Sequence, residues 1–331
     1  MNPIDRRALL KAMSAAALPT LGGFLPLAAG AQGRYPNKPI TLIVPQPAGG
    51  DADAVCRTLQ AKMQELLGQP VIIDNRGGAA GNIGTALGAK AAPDGYTVTF
   101  VNQGTMVFNP HLYPNPGFKL DQFEPVTQLA SIDLVICANP GVPANTLKEL
   151  LELARKEPGR FTYGTAGSGS ANHMAGEMLK AMAKVDLTHV PYRGGGPAIV
   201  GTLGGETNLV LAFPLGALPH IRAGKLKALA VTGSKRSKVL PNVPTVAESG
   251  VKGYEFASWF GLVVPKRTPQ EVISRLNFAA TGALKTPEIS ERLQSGMTEP
   301  VGSSPQDFGR LIAQESARWA KLIKQLNMKI D

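Results

Sequence analysis

Cysteine and histidine are scarce in this 331-residue chain, and their scarcity excludes several classes of protein. The two cysteines, Cys56 and Cys137, are too few for a disulfide framework, and no C-x-x-C pair is present for a zinc ribbon or a thioredoxin-type redox motif. The four histidines include no pair at the i,i+4 spacing of a helical metal site. We therefore expect no metal and no cofactor, and we expect both cysteines to be buried as small apolar residues.

Enzyme signatures are also missing. No G-x-S-x-G, P-loop, dinucleotide fingerprint or H-E-x-x-H motif occurs. Ser168 and His173 have the residue types of a nucleophile and a base, but an offset of five residues is weak evidence for such a pair. We predict that the chain is not an enzyme, and an exported hydrolase or lyase using these two residues is the less favoured alternative.

Basic residues outnumber acidic ones, 34 to 24, which gives a net charge of +10. The basic residues are dispersed, and the densest run, 235–238, has no aromatic residue within it. Nucleic-acid-binding surfaces usually cluster their basic residues, so we expect no nucleic-acid partner. The excess charge is compatible with a solvated surface that favours anions.

The first 31 residues have the pattern of an export signal. Arg6-Arg7-Ala8-Leu9-Leu10-Lys11 resembles the twin-arginine motif, and a weakly apolar run leads to Ala29-Gly30-Ala31, a small-x-small cleavage pattern. Pro19 and Pro26 interrupt the run, which disfavours an uncleaved anchor helix. We predict export to a bacterial periplasm with cleavage after Ala31, and the general secretory route remains the alternative to the twin-arginine one.

The remainder of the chain alternates strand and helix patterns. Ile40–Val44 is rich in β-branched residues, and apolar residues then recur at helical spacing up to Gly68. This order predicts a mainly parallel sheet with helices on both faces. A second series starts near Leu134, and the strand 260–264 followed by the terminal helices returns the chain to the first lobe. We predict an α/β fold with lobe 1 at residues 34–132 and 256–331, lobe 2 at 133–255, and a ligand cleft between the lobes.

Three glycine-rich turns join predicted strands to predicted helices, where open parallel sheets bind ligands. They span residues 47–53, 164–170 and 192–197. Small residues let backbone amides approach an anion at a helix N-terminus. Each turn has a plainer interpretation: Asp51 or Asp53 caps a helix, residues 164–170 are a flexible connection, and Arg193 is an ordinary surface residue.

Several motifs, taken together and in order, resemble one family, the Bug-type substrate-binding receptors of tripartite tricarboxylate transporters. The resemblance runs from Tyr35 to the end of the chain. The motifs that carry it are Pro45-x-Pro47-Ala48-Gly49-Gly50-x-x-Asp53, Asp74-Asn75-Arg76-x-Gly78-Ala79-x-Gly81-Asn82-Ile83-Gly84, Pro93-Asp94-Gly95-Tyr96-Thr97, His189-Val190-Pro191-Tyr192-Arg193-Gly194, Leu218-Pro219-His220-Ile221-x-Ala223-Gly224-Lys225-Leu226, Leu240-Pro241-x-Val243-Pro244-Thr245-x-x-Glu248-x-Gly250 and Ser258-Trp259-Phe260-Gly261.

This resemblance implies a monomeric, type II-like periplasmic binding protein that closes on a small organic carboxylate. It implies delivery of the ligand to the subunits of a membrane permease, although a receptor that presents its ligand to a signalling partner is the alternative. In this family, backbone amides, hydroxyls and bridging waters from both lobes hold the carboxylate. By position, the resemblance assigns ligand-binding roles to Ala48, Gly49, Gly50, Gln103, Thr105, Thr165, Ala166, Gly167, Ser168, Ser170, Arg193, Gly194 and Phe213.

The chain departs from the family pattern at three places. Ala212 stands where a short polar residue, commonly Asp, is found, which argues against an amino acid ligand. Residues 106–108, Met-Val-Phe, replace common polar residues, from which we infer a less polar pocket and a ligand with an apolar or aromatic body. Asp51 replaces a frequent Gly and would repel a second anionic group unless it caps the helix outward.

Overall fold

The computed structural model describes residues 35–325, so the predicted export signal lies outside the described residues. The strands are β1 (Ile40–Val44), β2 (Val71–Asn75), β3 (Thr97–Asn102), β4 (Phe123–Asp133), β5 (Val135–Ala138), β6 (Thr162–Thr165), β7 (Thr188–Pro191), β8 (Leu209–Ala212), β9 (Lys227–Val231), β10 (Ala257–Pro265) and β11 (Thr298–Pro300). The α-helices are α1 (Asp51–Leu67), α2 (Asn82–Ala89), α3 (Asn109–Leu112), α4 (Leu147–Lys156), α5 (Ala171–Ala183), α6 (Gly195–Leu203), α7 (Pro214–Arg222), α8 (Gln270–Leu284), α9 (Pro287–Ser295) and α10 (Pro305–Gln325).

Two mixed sheets, each covered by helices, form the two lobes of an α/β periplasmic-binding-protein fold. Lobe 1 contains the six-stranded sheet β11-β4-β10-β3-β1-β2, and lobe 2 contains the five-stranded sheet β7-β6-β8-β5-β9. In each sheet three strands are parallel, namely β2, β1 and β3 in lobe 1 and β7, β6 and β8 in lobe 2. The predicted two-lobed α/β architecture is confirmed.

The expectation of a mainly parallel sheet is wrong for half of lobe 1. Strand β10 is antiparallel to both β3 and β4, and β11 is antiparallel to β4. Two consecutive neighbouring strands can be parallel only if the chain between them crosses back to the edge of the sheet at which the first strand began. The chain instead enters β10 from lobe 2, so β10 is free to run against both of its neighbours.

The chain crosses between the lobes twice, once between β4 and β5 and again between β9 and β10. Thr232 ties the two crossings together: its backbone amide donates to the Leu134 carbonyl at 3.0 Å, and its hydroxyl donates to the Phe256 carbonyl at 2.7 Å. The Leu134 amide donates in turn to the Thr232 hydroxyl at 2.8 Å. The residue boundaries given above for the lobes stay a prediction, which the membership of the strands supports.

Local signals explain several helix ends. Helix α1 ends at Gly68, which has a left-handed backbone with φ 72° and donates its amide to the Gln64 carbonyl. The hydroxyl of Thr146 accepts from the Glu149 amide at 3.1 Å and begins α4 as its capping motif predicts. No helix within residues 35–325 is both long enough and apolar enough to cross a membrane.

Candidate functional site

A cleft with a volume of about 700 Å³ lies between the lobes, at the carboxyl ends of β1, β2, β3, β6, β7 and β8. This is the edge of an open α/β sheet at which ligands bind, and the volume suits a small molecule. The lining residues are Pro45, Gln46, Pro47, Ala48, Gly49, Gly50, Asp51, Gly77, Gly78, Ala79, Ala80, Gly81, Asn102, Gly104, Ala166, Gly167, Ser170, Ala171, Asn172, Tyr192, Arg193, Gly194, Gly195, Gly196, Pro197 and Phe213.

Three helix N-termini meet at this cleft, α1 from lobe 1 and α5 and α6 from lobe 2. The first amides of a helix have no intrahelical partner, and they carry partial positive charge. Gly50 and Gly194 precede α1 and α6 without a capping side chain. The next helical positions in α6, Gly195 and Gly196, also lack side chains that would cover their amides. The arrangement therefore suits an anion.

Two charged side chains line the cleft. Arg193 is exposed and forms no ion pair within the described part of the chain. Asp51 begins α1, and its Oδ1 accepts from the Gly216 amide of α7, in the other lobe, at 3.1 Å. Burial raises the pKa of Asp51 to about 6, although the hydrogen bond from Gly216 opposes the shift. Asp51 thus faces across the cleft and does not merely cap its own helix outward.

Asp53 has a different role, which is structural. Its side chain is buried, and its Oδ2 accepts from the Gly49 amide and from Arg57 Nε, both at 2.9 Å. Burial opposes the ionised form, but the hydrogen bond from Arg57 holds the pKa of Asp53 below its usual value. The Gly49 amide therefore donates within the loop 45–50, and this hydrogen bond shapes the loop.

Nine of the thirteen sequence-predicted binding residues lie together in the cleft lining. The other four take part in hydrogen bonds outside it. Gln103 Nε2 donates to Glu315 at 2.7 Å, Thr105 Oγ1 donates to the Asn102 carbonyl at 3.1 Å, Thr165 Oγ1 bonds His189 Nε2 at 2.6 Å, and the Ser168 carbonyl accepts from the Tyr113 hydroxyl at 2.8 Å. The ligand-binding role of all thirteen stays a prediction.

The predicted binding residues leave out part of the lining, in particular residues 77–81 and 171–172. Residues 77–81 follow β2 and contain Gly78, with φ 123°, and Gly81, with φ 92°. The glycine-rich pattern after a predicted strand was a usable signal there. Asn172 gives no such signal, because its place in the cleft depends on the packing of α5 against β8.

The Nδ1 atom of His173 is not available as a base for the Ser168 hydroxyl, because it already accepts a hydrogen bond. That nitrogen of His173 accepts from the Gly169 amide at 3.1 Å, and the imidazole ring stacks on His189 at 4.0 Å between ring centroids. Burial, followed in size by the neighbouring His173, lowers the pKa of His189 to about 3. Both histidines therefore contact the loop 164–170, His173 through the Gly169 amide and His189 through Thr165 Oγ1.

Residues 106–108 also lie away from the cleft. Met106, Val107 and Phe108 are buried, and the ring of Phe108 packs edge-on against Trp319 with 4.8 Å between ring centroids. Their apolar character serves the core of lobe 1. The aromatic residue that does line the cleft is Phe213, whose ring lies 5.2 Å from that of Phe260.

Both cysteines are buried and free, as expected, and the structure places no cluster of potential metal ligands within residues 35–325. Burial raises the pKa of the Cys137 thiol to about 12, so this thiol is not a nucleophile near neutral pH.

Comparisons with known proteins agree with this geometry. The model of the tripartite tricarboxylate transporter family receptor, TctC, matches residues 55–328. BugT of Bordetella pertussis is 34% identical over 298 residues, which cover 89% of this chain and 91% of BugT. The structure of the periplasmic binding protein BugD is 35% identical, with a TM-score of 0.85 over 90% of this chain and 100% of BugD. The structure of R. palustris Rpa4515 with adipate is 34% identical, with a TM-score of 0.87 and the same coverage of both chains.

These proteins are substrate-binding receptors, not enzymes. The family model spans most of the chain, and the same loops that the sequence motifs identify surround one cleft. This chain therefore belongs to the TctC family of tripartite tricarboxylate transporter receptors, as a Bug-type periplasmic solute-binding receptor.

Proposed function

We propose that the mature protein binds a small organic carboxylate in the cleft and delivers it to a tripartite tricarboxylate-type permease. The observation that carries this proposal is the meeting of helix N-termini from both lobes at one cleft. A carboxylate there would accept hydrogen bonds from both lobes at once, so its binding favours the closed arrangement.

The expected strength follows from the donors available. Anion contacts at helix N-termini contribute about 0.3–1 kcal/mol each when exposed and up to about 2 kcal/mol when partly buried. Three such termini, Arg193 and the hydroxyl hydrogen bonds together can reach about −8 kcal/mol, which corresponds to a micromolar dissociation constant. Adipate in the related R. palustris structure supports a ligand of this chemical class.

Phe213 and the prolines at positions 45, 47 and 197 supply apolar surface to the cleft. We infer from them that the ligand has an apolar segment next to its carboxylate. Residues 106–108 do not contribute to this apolar surface, because their side chains lie in the core of lobe 1.

A thermal-shift screen of a carboxylate library, followed by isothermal titration calorimetry, tests the proposal. We expect at least one carboxylate to bind with micromolar affinity and to raise the unfolding temperature, since a ligand that binds only the native state stabilises it. The ligand should be recovered unchanged after long incubation. Conversion of the ligand would favour the enzyme alternative, and loss of its uptake after deletion of the gene tests delivery.

A further inference from the structure

We propose that Asp51 determines ligand specificity, restricting the cleft to ligands that carry one carboxylate and, at their other end, a hydrogen-bond donor in place of a second carboxylate, such as a hydroxyl or a primary amide. The inference deepens the proposed function and rests on it. Three features carry it: the position of Asp51 between two helix starts, an unpartnered acceptor on Asn172, and the balance of charge in the cleft.

Asp51 occupies the anion-binding position that α7 would otherwise offer a ligand. Its Oδ1 accepts from the Gly216 amide at 3.1 Å, and a Cβ atom at Gly195 of α6 would lie only 3.7 Å from its Oδ2. The carboxylate therefore lies between α6 and α7 while belonging to α1 of the opposite lobe. A second ligand carboxylate placed there would meet a negative charge in a poorly solvated site.

Asn172 adds a neutral acceptor to the same cleft. Its side chain is buried, with 1% of the residue exposed, and its Nδ2 donates to the Leu211 carbonyl at 2.6 Å. A carbonyl can only accept, so this contact fixes the orientation of the amide group. Asn172 Oδ1 then has no hydrogen-bond partner among the described residues, although buried acceptors are normally satisfied. A hydroxyl or amide donor on the ligand would satisfy it.

The charges in the cleft disfavour a second negative charge on the ligand. Among the lining residues, Arg193 is the cation and Asp51 is the anion. One ligand carboxylate is matched by Arg193 and the N-termini of α5 and α6, whose first turns have no acidic residue. The other end of the ligand then faces two acceptors, Asp51 and Asn172 Oδ1. A hydrogen-bond donor at this end would bind them, whereas an anionic group would be repelled.

Matched six-carbon acids test the inference: hexanedioate, its monoamide and 6-hydroxyhexanoate. Isothermal titration at pH 7.5 would compare the wild-type protein with Asp51→Asn, which keeps the shape and removes the charge. Asp121→Asn is the control, because it removes one negative charge from an exposed turn outside the cleft lining. We expect the wild-type protein and the control to prefer the monoamide or hydroxy acid over the dicarboxylate by at least about tenfold. In Asp51→Asn the preference should fall to about threefold or less.

Lowering the pH gives a second readout. The pKa of Asp51 is about 6. Above that pH the residue is charged and repels a second carboxylate, and below it the repulsion is lost. Between pH 7.5 and pH 5.5 the second carboxyl group of hexanedioate also begins to protonate, so the effect is measured against Asp51→Asn. Over this range the wild-type protein should gain more affinity for hexanedioate, relative to the monoamide, than Asp51→Asn gains.

The other charged or titratable groups of the packed elements are Asp53, Cys56, Arg57, Lys62 and Glu65 of α1, His220 and Arg222 at the far end of α7, and Tyr192 and Arg193 of the cleft wall. An equal pH effect in the wild-type protein and in Asp51→Asn would belong to these groups or to the ligand, and it would contradict the role of Asp51. A wild-type preference for hexanedioate or an unchanged preference in Asp51→Asn would also overturn the inference. Failure of every carboxylate to bind either protein would instead overturn the proposed function.

Discussion

Gly49 has a left-handed backbone, with φ 80°, and no neighbouring atom lies within 4 Å of the place where a Cβ would stand. Gly49 lines the cleft, so valine at this position would add a branched side chain to the cleft wall. The left-handed conformation costs a residue with a Cβ roughly 1–2 kcal/mol. We expect Gly49→Val to destabilise the protein by about that amount and to abolish ligand binding in isothermal titration.

Gly205 offers a matched control for this variant. It has the same φ, 80°, and the same empty surroundings, but it lies in the turn after α6 and outside the cleft lining. Gly205→Val should lose similar stability in urea unfolding and keep its affinity. Equal affinity in the two variants would show that the loop 45–50 does not contact the ligand.

At the scale of elements, the turn after α3 is linked to the loop 164–170 of the other lobe. The Tyr113 hydroxyl donates to the Ser168 carbonyl at 2.8 Å, and partial burial raises the pKa of Tyr113 above its usual value. A net hydrogen bond contributes about 0.5–1.5 kcal/mol. We expect Tyr113→Phe to weaken ligand binding by about 2- to 10-fold, because the closed arrangement loses this bond.

Tyr96→Phe is the control for this prediction, since the Tyr96 hydroxyl donates to Asn37 at 2.8 Å within lobe 1. Isothermal titration should show an unchanged affinity for Tyr96→Phe. An equal loss in both variants would mean that the Tyr113 bond does not contribute to closure.

The elements that sequence predicted well are those set by local chemistry. The apolar spacing of α1 with Gly68 at its end, and the Thr146 cap of α4, depend on residues a few positions apart. Strand β10 was predicted to return the chain to lobe 1, but its antiparallel pairing with β3 and β4 depends on where the chain enters the sheet. No local pattern records that direction.

In the candidate site, too, the features set by local sequence could be predicted and those set by the packing of the lobes could not. Glycine-rich turns at strand ends could be recognised from their spacing, and nine predicted residues do line one cleft. Ser168 could not be separated from Ser170 by sequence, because both are small hydroxyl residues of one turn. Ser170 faces the cleft and caps α5, whereas the Ser168 carbonyl receives the bond from Tyr113. The contact of Asp51 with Gly216 joins residues 165 positions apart and needed the packed lobes.

For the whole molecule, Thr232 is the point at which the two crossings between the lobes are bonded to each other. Thr232→Val keeps the shape but leaves the Leu134 amide and the Phe256 carbonyl without the hydroxyl. An unsatisfied buried group costs about 1–3 kcal/mol, so we expect a loss of roughly 2–6 kcal/mol in the free energy of unfolding. Denaturant titration measures it, and Thr232→Ser, which retains the hydroxyl, should recover most of the loss. Full stability in Thr232→Val would contradict this role.

Export concerns the whole chain and stays a prediction, because residues 1–31 lie outside the described structure. N-terminal sequencing of exported protein should begin at Gln32, after the Ala29-Gly30-Ala31 pattern. Changing Arg6 and Arg7 together to lysine should block export by the twin-arginine route. Continued export would indicate the general secretory route, and an intact Met1 on membrane-bound material would contradict cleavage.

The meeting of helix starts has an electrostatic consequence for the empty receptor. Each helix start carries about half a positive charge, and the starts of α5 and α6 have no acidic residue in their first turn. The first turn of α1 contains Asp51 and Asp53, and Asp51 also accepts from the start of α7 across the cleft. In the empty receptor the Asp51 carboxylate of lobe 1 is therefore attracted to the positive helix starts of lobe 2. Because salt screens such an attraction, the empty protein should open more readily as ionic strength rises.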